Sequence, residues 1–342
     1  MKKSTKIWIL IAGACMGVGI LLCIIAMFVA GFQFSKFETT EKKEEKHYTI
    51  SADNIKNLTV STAATDVEVR PGSSPDIEIT CYENKKEYFD IETVEDSLNI
   101  TEKNKEKWFH IQINFTSEEE EKLIVEVPEA QYEKLVLDSS SGDIFLDQIL
   151  CKELSIDTSS GNATVKDCSA SDLLQVNTSS GDCALAYVKS KEASVDTTSG
   201  EVEITAMQEL TKLTIDTSSG DVSLSNVLVS GLVKIDTTSG DLDLERVEAD
   251  KLQCDTSSGE VEFEELSATA YDMNTTSGDI SGTIAENNES VSFTVDTASG
   301  EVDIPNPCKG DHTFTADTSS GDVTVRFVEE KRIMEGAEWY EE

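Results

Sequence analysis

The chain has 342 residues, with 66 Asp+Glu against 28 Lys+Arg and a formal net charge of −38. An acidic surplus of this size argues against nucleic-acid binding and against docking on anionic lipid headgroups, because both of these partners attract basic surfaces. Hydrophobic residues make up 38% of the chain, which is too many for a wholly disordered acidic protein, so a folded core is expected.

The chain begins with a long apolar segment. Three Lys precede an uncharged run at residues 7–34, which exceeds the ~20 residues that span a bilayer. We therefore expect an uncleaved transmembrane signal anchor at 7–34, with residues 1–6 in the cytoplasm and the remainder of the chain outside it. The alternatives are a cleaved signal peptide and a lipoprotein anchored through Cys15 or Cys23.

Two further segments precede the regular part of the sequence. Residues 35–49 mix Lys with Glu, which predicts a charged linker. Residues 50–137 hold several short runs of alternating apolar and polar residues, and we expect a β-rich section that caps the repeats after it. The strand-like runs are 77–82, 89–93, 98–101, 110–115 and 123–127.

Ten copies of a six-residue motif then follow at intervals of 19 to 22 residues. A representative copy reads Asp216-Thr-Ser-Ser-Gly-Asp221. Repetition at this spacing indicates stacked units, each of which needs its neighbours to bury its apolar face. The ten glycines are Gly142, Gly161, Gly181, Gly200, Gly220, Gly240, Gly259, Gly278, Gly300 and Gly321.

Apolar positions within each copy alternate along the chain. If the first Asp or Asn of a copy is position 0, positions −3, −1, +6 and +8 are apolar in nearly every copy. Alternation with a period of two predicts strands with one buried face. The buried residues are at odd-numbered positions before the motif and at even-numbered positions after it, so the chain must turn between +3 and +6. The glycine at +4 suits such a turn, because it can adopt a positive φ and has no side chain. A second change of phase before +11 predicts another corner.

These coils predict an all-β fold, a parallel β-solenoid of ten coils over residues 138–328. The handedness rule for parallel crossovers predicts a right-handed coil. Residues 58–69 fit the same columns as a degenerate eleventh copy, with Thr65 in place of the glycine. Residues 329–342 are expected to form a C-terminal cap or tail, because an open solenoid end invites edge pairing.

This run of Asp-Thr-Ser-Ser-Gly-Asp copies behind an apolar N-terminal segment resembles a known family. It is similar to the bacterial "putative adhesin" β-solenoid family of LiaG/YvlB-like cell-envelope proteins, over about residues 50–327. The resemblance implies a location in the cell envelope, often of Gram-positive bacteria, and a link to envelope stress. It implies no catalytic residues.

Two acidic columns flank each corner, at positions 0 and +5. A ladder of calcium sites would use such carboxylates, as nonapeptide β-rolls do. The alternative is turn chemistry, in which Asp and Asn accept hydrogen bonds from nearby backbone N–H groups. Asn177 and Asn274 at position 0 favour the turn chemistry, because Asn turns the chain but supplies no charge, and we expect only diffuse attraction of cations.

Hydroxyl groups form two more columns, with Thr at +1 in nine copies and Ser at +3 in all ten. The phase of the preceding strand points both columns inward, where the hydroxyls would satisfy one another and the backbone of the corner. A flat outward array of hydroxyls that recognises glycan or ice is the alternative.

Candidates for catalysis or cofactor binding are few. We expect no catalytic site, no metal site and no cofactor site. His47, His110 and His312 are scattered, and the many Ser occupy repeated turns rather than one special environment. Six Cys follow the apolar segment without a Cys-x-x-Cys pair. Buried free thiols are expected, with a Cys151–Cys168 disulfide as the alternative.

The sequence therefore predicts a structural or interaction module without enzymatic activity, anchored in the cell membrane by one helix and displayed outside the cytoplasm. Its expected partner is an envelope protein or a wall polymer. The alternative function is a surface protein that binds cations or glycans.

Overall fold

The computed structural model describes residues 42–105, 121–285, 290–305 and 310–328. The predicted anchor at 7–34, the predicted strand at 110–115 and the predicted cap or tail at 329–342 lie outside these ranges. No helix in the described ranges has the length and the apolar character that crossing a membrane requires. All of the described strands belong to the second of two compact units, which begins at Glu44.

The strands that precede the first motif glycine are β1 (Glu44–Ile50), β2 (Asn57–Thr62), β3 (Asp66–Pro71), β4 (Ile77–Glu83), β5 (Glu87–Val94), β6 (Ser97–Asn104), β7 (Lys122–Val127) and β8 (Gln131–Ser139). Four of these match runs expected from the sequence. The strand β1 differs from expectation, because its first six residues, 44–49, fall in the predicted charged linker. Tyr48 and Ile50 alternate with exposed residues and pack against the core, while the strand pairs antiparallel with β4.

The strands of the regular coils are β9 (Ile144–Asp147), β10 (Leu150–Thr158), β11 (Ala163–Lys166), β12 (Ser169–Thr178), β13 (Cys183–Ala186), β14 (Lys189–Thr197), β15 (Val202–Thr205), β16 (Leu210–Thr217), β17 (Val222–Asp236), β18 (Leu242–Asp255), β19 (Val261–Asn274) and β20 (Ile280–Ile284). The last strands are β21 (Val291–Thr297), β22 (Val302–Asp303), β23 (His312–Thr318) and β24 (Val323–Phe327).

Equivalent positions of successive copies pair in parallel, which confirms the predicted β-solenoid. Leu154 pairs with Leu135 on one side and with Leu174 on the other. After the corner, Val165 pairs with Leu146 and Leu185 in the same way. Positions −3, −1, +6 and +8 of the regular coils, apart from Gly282, are buried and form one continuous core.

The N-terminal end of the solenoid is not stacked in chain order. The degenerate copy pairs as expected with the first regular coil, since Leu58 lies opposite Leu135 and Val67 opposite Ile144. The next layer outward, however, comes from later in the chain, because β2 lies between β6 and β8 and β3 lies between β7 and β9. The antiparallel strands β4 and β5 then join this end to the sheet.

The C-terminal end has the same kind of exchange. The strands β23 and β24 pair with β19 and β20, so the last coil in sequence rests on the coil of Asn274. The coil of β21 and β22 pairs with the outer side of this last coil. The coils that contain Gly300 and Gly321 have therefore changed places relative to the chain.

In seven coils the second corner lies at position +10 and uses left-handed backbone. Seven non-glycine residues there have φ between 51° and 57°. A left-handed conformation costs an ordinary residue roughly 1 kcal/mol or more but costs Asn and Asp less, so the corners without Asn or Asp store a little strain. The seven residues are Gln148, Asp167, Tyr187, Ala206, Asn226, Arg246 and Glu265.

Tyr187 offers a test of this strain, because its side chain is 59% exposed and contributes little packing. We expect Tyr187→Asn to stabilise the protein by about 0.5–1 kcal/mol, since Asn tolerates left-handed backbone, and Tyr187→Val to destabilise it by about 1 kcal/mol. Urea unfolding of both variants measures the difference. A Val variant at least as stable as the Asn variant would contradict the strain.

Candidate functional site

The corner that contains the motif is built on the hydroxyl column at +1. Thr158 and its equivalents are buried, as expected, apart from the half-buried Thr297. In eight coils the hydroxyl accepts a hydrogen bond from the glycine N–H three residues later, as from Gly161 at 3.1 Å. In several coils the same hydroxyl also donates to the glycine carbonyl of the adjacent coil, as Thr256 does to Gly240 at 3.3 Å. The column thus ties each corner to its neighbour.

The serine column at +3 points outward, so the inward prediction for it was wrong. All ten serines are exposed. The phase changes at +2 and +3, directly after the +1 residue, and the glycine at +4 is already buried in every copy except that of Gly300. The ten residues are Ser141, Ser160, Ser180, Ser199, Ser219, Ser239, Ser258, Ser277, Ser299 and Ser320.

The motif glycines are required by close approach rather than by backbone conformation. Among the described glycines, only Gly282 has a positive φ. A Cβ on Gly200 would lie 1.8 Å from the carbonyl oxygen of Gly181 in the adjacent coil, and the other motif glycines meet similar contacts. The sequence allowed two reasons for glycine at this corner, a positive φ and the lack of a side chain, and the second is the one that applies.

The side chains at +5 form a ladder of hydrogen bonds between coils. Asp143 Oδ1 accepts from the backbone N–H of Asn162 at 2.7 Å, and Asn162 Oδ1 accepts from that of Asp182 at 2.8 Å. Similarly, Asp182 Oδ1 accepts from the N–H of Glu201 at 3.0 Å. Because neutral Asn162 performs the same role as its acidic neighbours, the column acts through turn chemistry, with the second carboxylate oxygen left toward solvent.

The side chains at position 0 lie on the other flank of the corner. Asn274 donates from Nδ2 to Asp255 Oδ1 at 2.8 Å, so an amide separates carboxylates that would otherwise repel one another. Lys234 relieves the same column through an ion pair with Asp236. These partners reduce the repulsion locally and leave most of the column acidic.

Together the four outward columns form a continuous surface, which we call the corner ridge and define as positions 0, +2, +3 and +5 of the repeats. Each coil presents an acidic or amide group, two small residues that are mostly hydroxylic, and a second acidic or amide group. A groove of about 360 Å³ runs along the +5 side of the ridge and is lined in part by Glu201, Asp221, Asp241 and Glu260. The ridge can accept hydrogen bonds from a polyhydroxylated polymer and attract cations or basic side chains.

The side chains suited to metal or acid–base chemistry lie apart in the described part of the chain. No group of three or more His, Cys, Asp or Glu there could hold a metal ion. His47 lies in β1, where its Nδ1 is 3.0 Å from Thr80 Oγ1. His312 lies in β23, toward the C-terminal end of the solenoid. His110 is outside the described residues.

Five cysteines are described, and all are buried free thiols, including both members of the alternative Cys151–Cys168 disulfide. Desolvation by burial raises the pKa of these thiols far above neutrality, so they remain protonated and poorly nucleophilic. The pKa is raised to about 12 for Cys81, Cys151 and Cys183, to about 11 for Cys168, and further still for Cys254. The other three cysteines lie outside the described residues.

We therefore expect these five thiols to resist iodoacetamide at pH 8 in the folded protein and to react fully after denaturation in guanidinium. A raised thiol pKa removes the reactive thiolate, and burial blocks access as well. Peptide mass spectrometry quantifies labelling at each cysteine, and the denatured sample is the control. Rapid labelling of Cys168 or Cys254 in the folded state would contradict their burial.

Three solved structures with likeness to the chain each match 84% of it. They are a "putative cell adhesion protein" from Clostridium sporogenes (9% identity, 100% of that chain, TM-score 0.23), a "Putative lipid binding protein" from Parabacteroides distasonis (17%, 98%, 0.40) and a "putative adhesin" from Bacteroides fragilis (10%, 98%, 0.32). At these TM-scores they carry no argument about this chain.

Sequence comparison is more specific. No curated protein matches the sequence. The model of the Toastrack DUF4097 family matches residues 55–211 and again residues 207–338, which together span most of the chain and contain every copy of the motif. The narrower likeness to LiaG/YvlB-like envelope proteins stays a prediction. The chain belongs to the Toastrack DUF4097 family.

Proposed function

We propose that the chain is a non-catalytic interaction module, anchored in the cell membrane and displayed outside the cytoplasm, that binds its partner along the corner ridge. The observation that carries the proposal is the regular repetition of outward carboxylates and hydroxyls at one corner of successive coils. A surface that repeats the same groups at each coil favours a partner that is itself repetitive or extended, because many weak contacts then add.

The predicted partner is an envelope protein with basic side chains or a wall polymer rich in hydroxyl groups. Carboxylates at positions 0 and +5 attract the first and accept hydrogen bonds from the second. The ridge also disfavours nucleic acid and anionic lipid, because their phosphates would face a column of like charge.

The ridge permits a matched test, because Asn162 shows that Asn preserves the bond between coils at +5. A triple variant with Asp182, Asp221 and Asp241 each changed to Asn removes charge from the ridge and keeps its hydrogen bonds. The control changes exposed acids elsewhere and carries D172N, E192Q and E248Q. Crosslinking and pull-down from native membranes should recover a specific partner with wild type and control but not with the ridge variant. Equal recovery with all three would place the binding surface elsewhere.

Orientation is tested separately by surface proteolysis of intact cells. Residues 44–328 should be cleaved from outside, and protection of this region would refute display outside the cytoplasm. Because the pull-down uses solubilised membranes, its result does not depend on the orientation.

The alternative function is binding of cations or glycans, and the outward serine column supports it. We expect 5 mM calcium to shift the melting temperature no more than sodium chloride of equal ionic strength, because each Asp at +5 already has one oxygen bonded to the backbone of a neighbouring coil. Isothermal calorimetry with a saturable calcium signal would instead favour specific sites. Recovery of wall glycan alone in the pull-down would favour the glycan.

A further inference from the structure

A groove of about 360 Å³ lies at the N-terminal end of the solenoid, away from the corner ridge, and arises from the exchanged order of the coils there. The chain leaves β3 at Pro71 and Gly72 and turns into β4. Since β3 lies between β7 and β9, the connection at 128–130 must step across the layer of β3 to reach β8. The groove lies between this connection and the +10 corner of the first regular coil.

The lining of the groove has three chemical parts. Val127 and Ile149 are buried and apolar, and Leu150 is 44% exposed beside them. Glu129 and Asp167 are exposed carboxylates in the lining. Asp167 pairs with Lys166 at 3.7 Å, but neither Lys nor Arg is itself in the lining. Such a lining disfavours an anion and suits an uncharged ligand that has both an apolar group and hydrogen-bond donors.

An unpartnered polar group adds an independent observation. Tyr132 lines the groove, is 3% exposed, and carries a hydroxyl that is buried without a hydrogen-bond partner in the described structure. At the neighbouring corner, Asp147 Oδ1 is also buried and unpartnered. Only one other side chain in the described ranges, Thr62, shares this condition, so unpaired groups concentrate at this end. Buried polar groups are normally bonded, so the Tyr132 hydroxyl, whose residue lines the groove, needs a partner.

We propose that this groove binds an uncharged sugar that carries an acetamido group. The acetamido methyl lies against Val127 and Ile149, and its carbonyl accepts a hydrogen bond from the Tyr132 hydroxyl. The sugar hydroxyls donate to the carboxylates of Glu129 and Asp167. Burial raises the pKa of Tyr132 to about 12, which keeps the hydroxyl protonated as a donor over the physiological range.

The site goes beyond the proposed function, because it lies on another corner and does not depend on the ridge or on the membrane anchor. A recessed site of this size accommodates one terminal sugar, whereas the ridge offers an extended surface. The two proposals are separable, since the triple Asn variant of the ridge should bind the sugar as wild type does.

Ligand-observed NMR of the purified full chain with methyl N-acetyl-glucosaminide tests the site. We expect a dissociation constant of about 1 mM, with the strongest saturation transfer to the acetyl methyl. Methyl glucoside, which lacks the acetamido group, should bind at least tenfold more weakly. Equal binding of both sugars, or binding of neither at 20 mM, would overturn the proposal.

The variant Tyr132→Phe separates a ligand contact from a structural role. It should weaken binding about tenfold and raise the melting temperature by about 2 °C, because it removes a desolvated hydroxyl that has no partner in the fold. Tyr187→Phe, at an exposed tyrosine elsewhere, is the matched control and should change neither quantity. A lower melting temperature for Tyr132→Phe, or unchanged binding, would show that the hydroxyl serves the fold instead.

Discussion

Gly200→Ala should destabilise the protein by about 3 kcal/mol or more. The added Cβ would lie 1.8 Å from the carbonyl oxygen and 2.6 Å from the carbonyl carbon of Gly181. Both atoms are backbone, and the hydrogen bonds between coils hold the strands about 4.8 Å apart, so neither coil can retreat without breaking its ladder. Urea unfolding followed by circular dichroism measures the loss.

Ser199→Ala is the matched control, because it removes an exposed side chain from the adjacent position and leaves the backbone bond from Ser199 N–H to Ser179 intact. Its effect should stay within about 0.5 kcal/mol. Comparable stability of the two variants would mean that the coils are not in close contact at the glycine. Hydrogen exchange at neighbouring amides would show whether the damage stays local, as nearest-neighbour coupling in repeat proteins predicts.

Phe314→Ala should cost about 3–5 kcal/mol, whereas the equivalent Phe293→Ala should cost clearly less, about 1–2 kcal/mol. Phe314 is fully buried, with ring centroids 5.5 Å from Tyr271, 5.4 Å from Phe293 and 6.0 Å from Phe263. Phe293 belongs to the outer coil and is only partly buried. Stacking in chain order would reverse this ranking, so denaturant unfolding of the two variants decides the order of the last coils.

Engineered disulfides provide an independent check of that order. Thr324 lies between Ser281 on one side and Asp303 on the other. Cysteines at 281 and 324 should therefore form a disulfide on mild oxidation, while cysteines at 281 and 303, two layers apart, should not. The five described native thiols are buried and should not interfere. A 281–303 bond in the folded protein would show the coils stacked in chain order.

The coil itself could be predicted from the sequence because apolar columns report burial directly. Leu58 and Val67 carried enough of the pattern to place the degenerate copy, although its glycine is Thr65. The outward direction of the serines was missed for a physical reason. Ser and Thr at +1 and +3 give no hydropathy contrast, and the glycine at +4 has no side chain to mark it as buried, so the position of the phase change was undetermined.

The order of the end coils could not be predicted, because the copies at Asp296 and Asp317 are nearly identical in motif and either could rest on the coil of Asn274. The longer intervals before Gly300 and Gly321 were the visible signal that this part of the stack differs. The groove depends on the corresponding exchange of coils at the N-terminal end of the solenoid. Its one clue was Tyr132, a large aromatic residue where the next two coils have Cys151 and Ala170.

The exchange at the C-terminal end also constrains how the protein is made. A solenoid stacked in chain order can add each coil to the last as the nascent chain emerges. Here the coil of β21 and β22 is synthesised before the coil that supports it, since its described partners are β23 and β24. Residues 290–305 must therefore wait until synthesis has passed residue 327, and a ribosome stalled between these points would expose Tyr271 and Ile280 as an open edge.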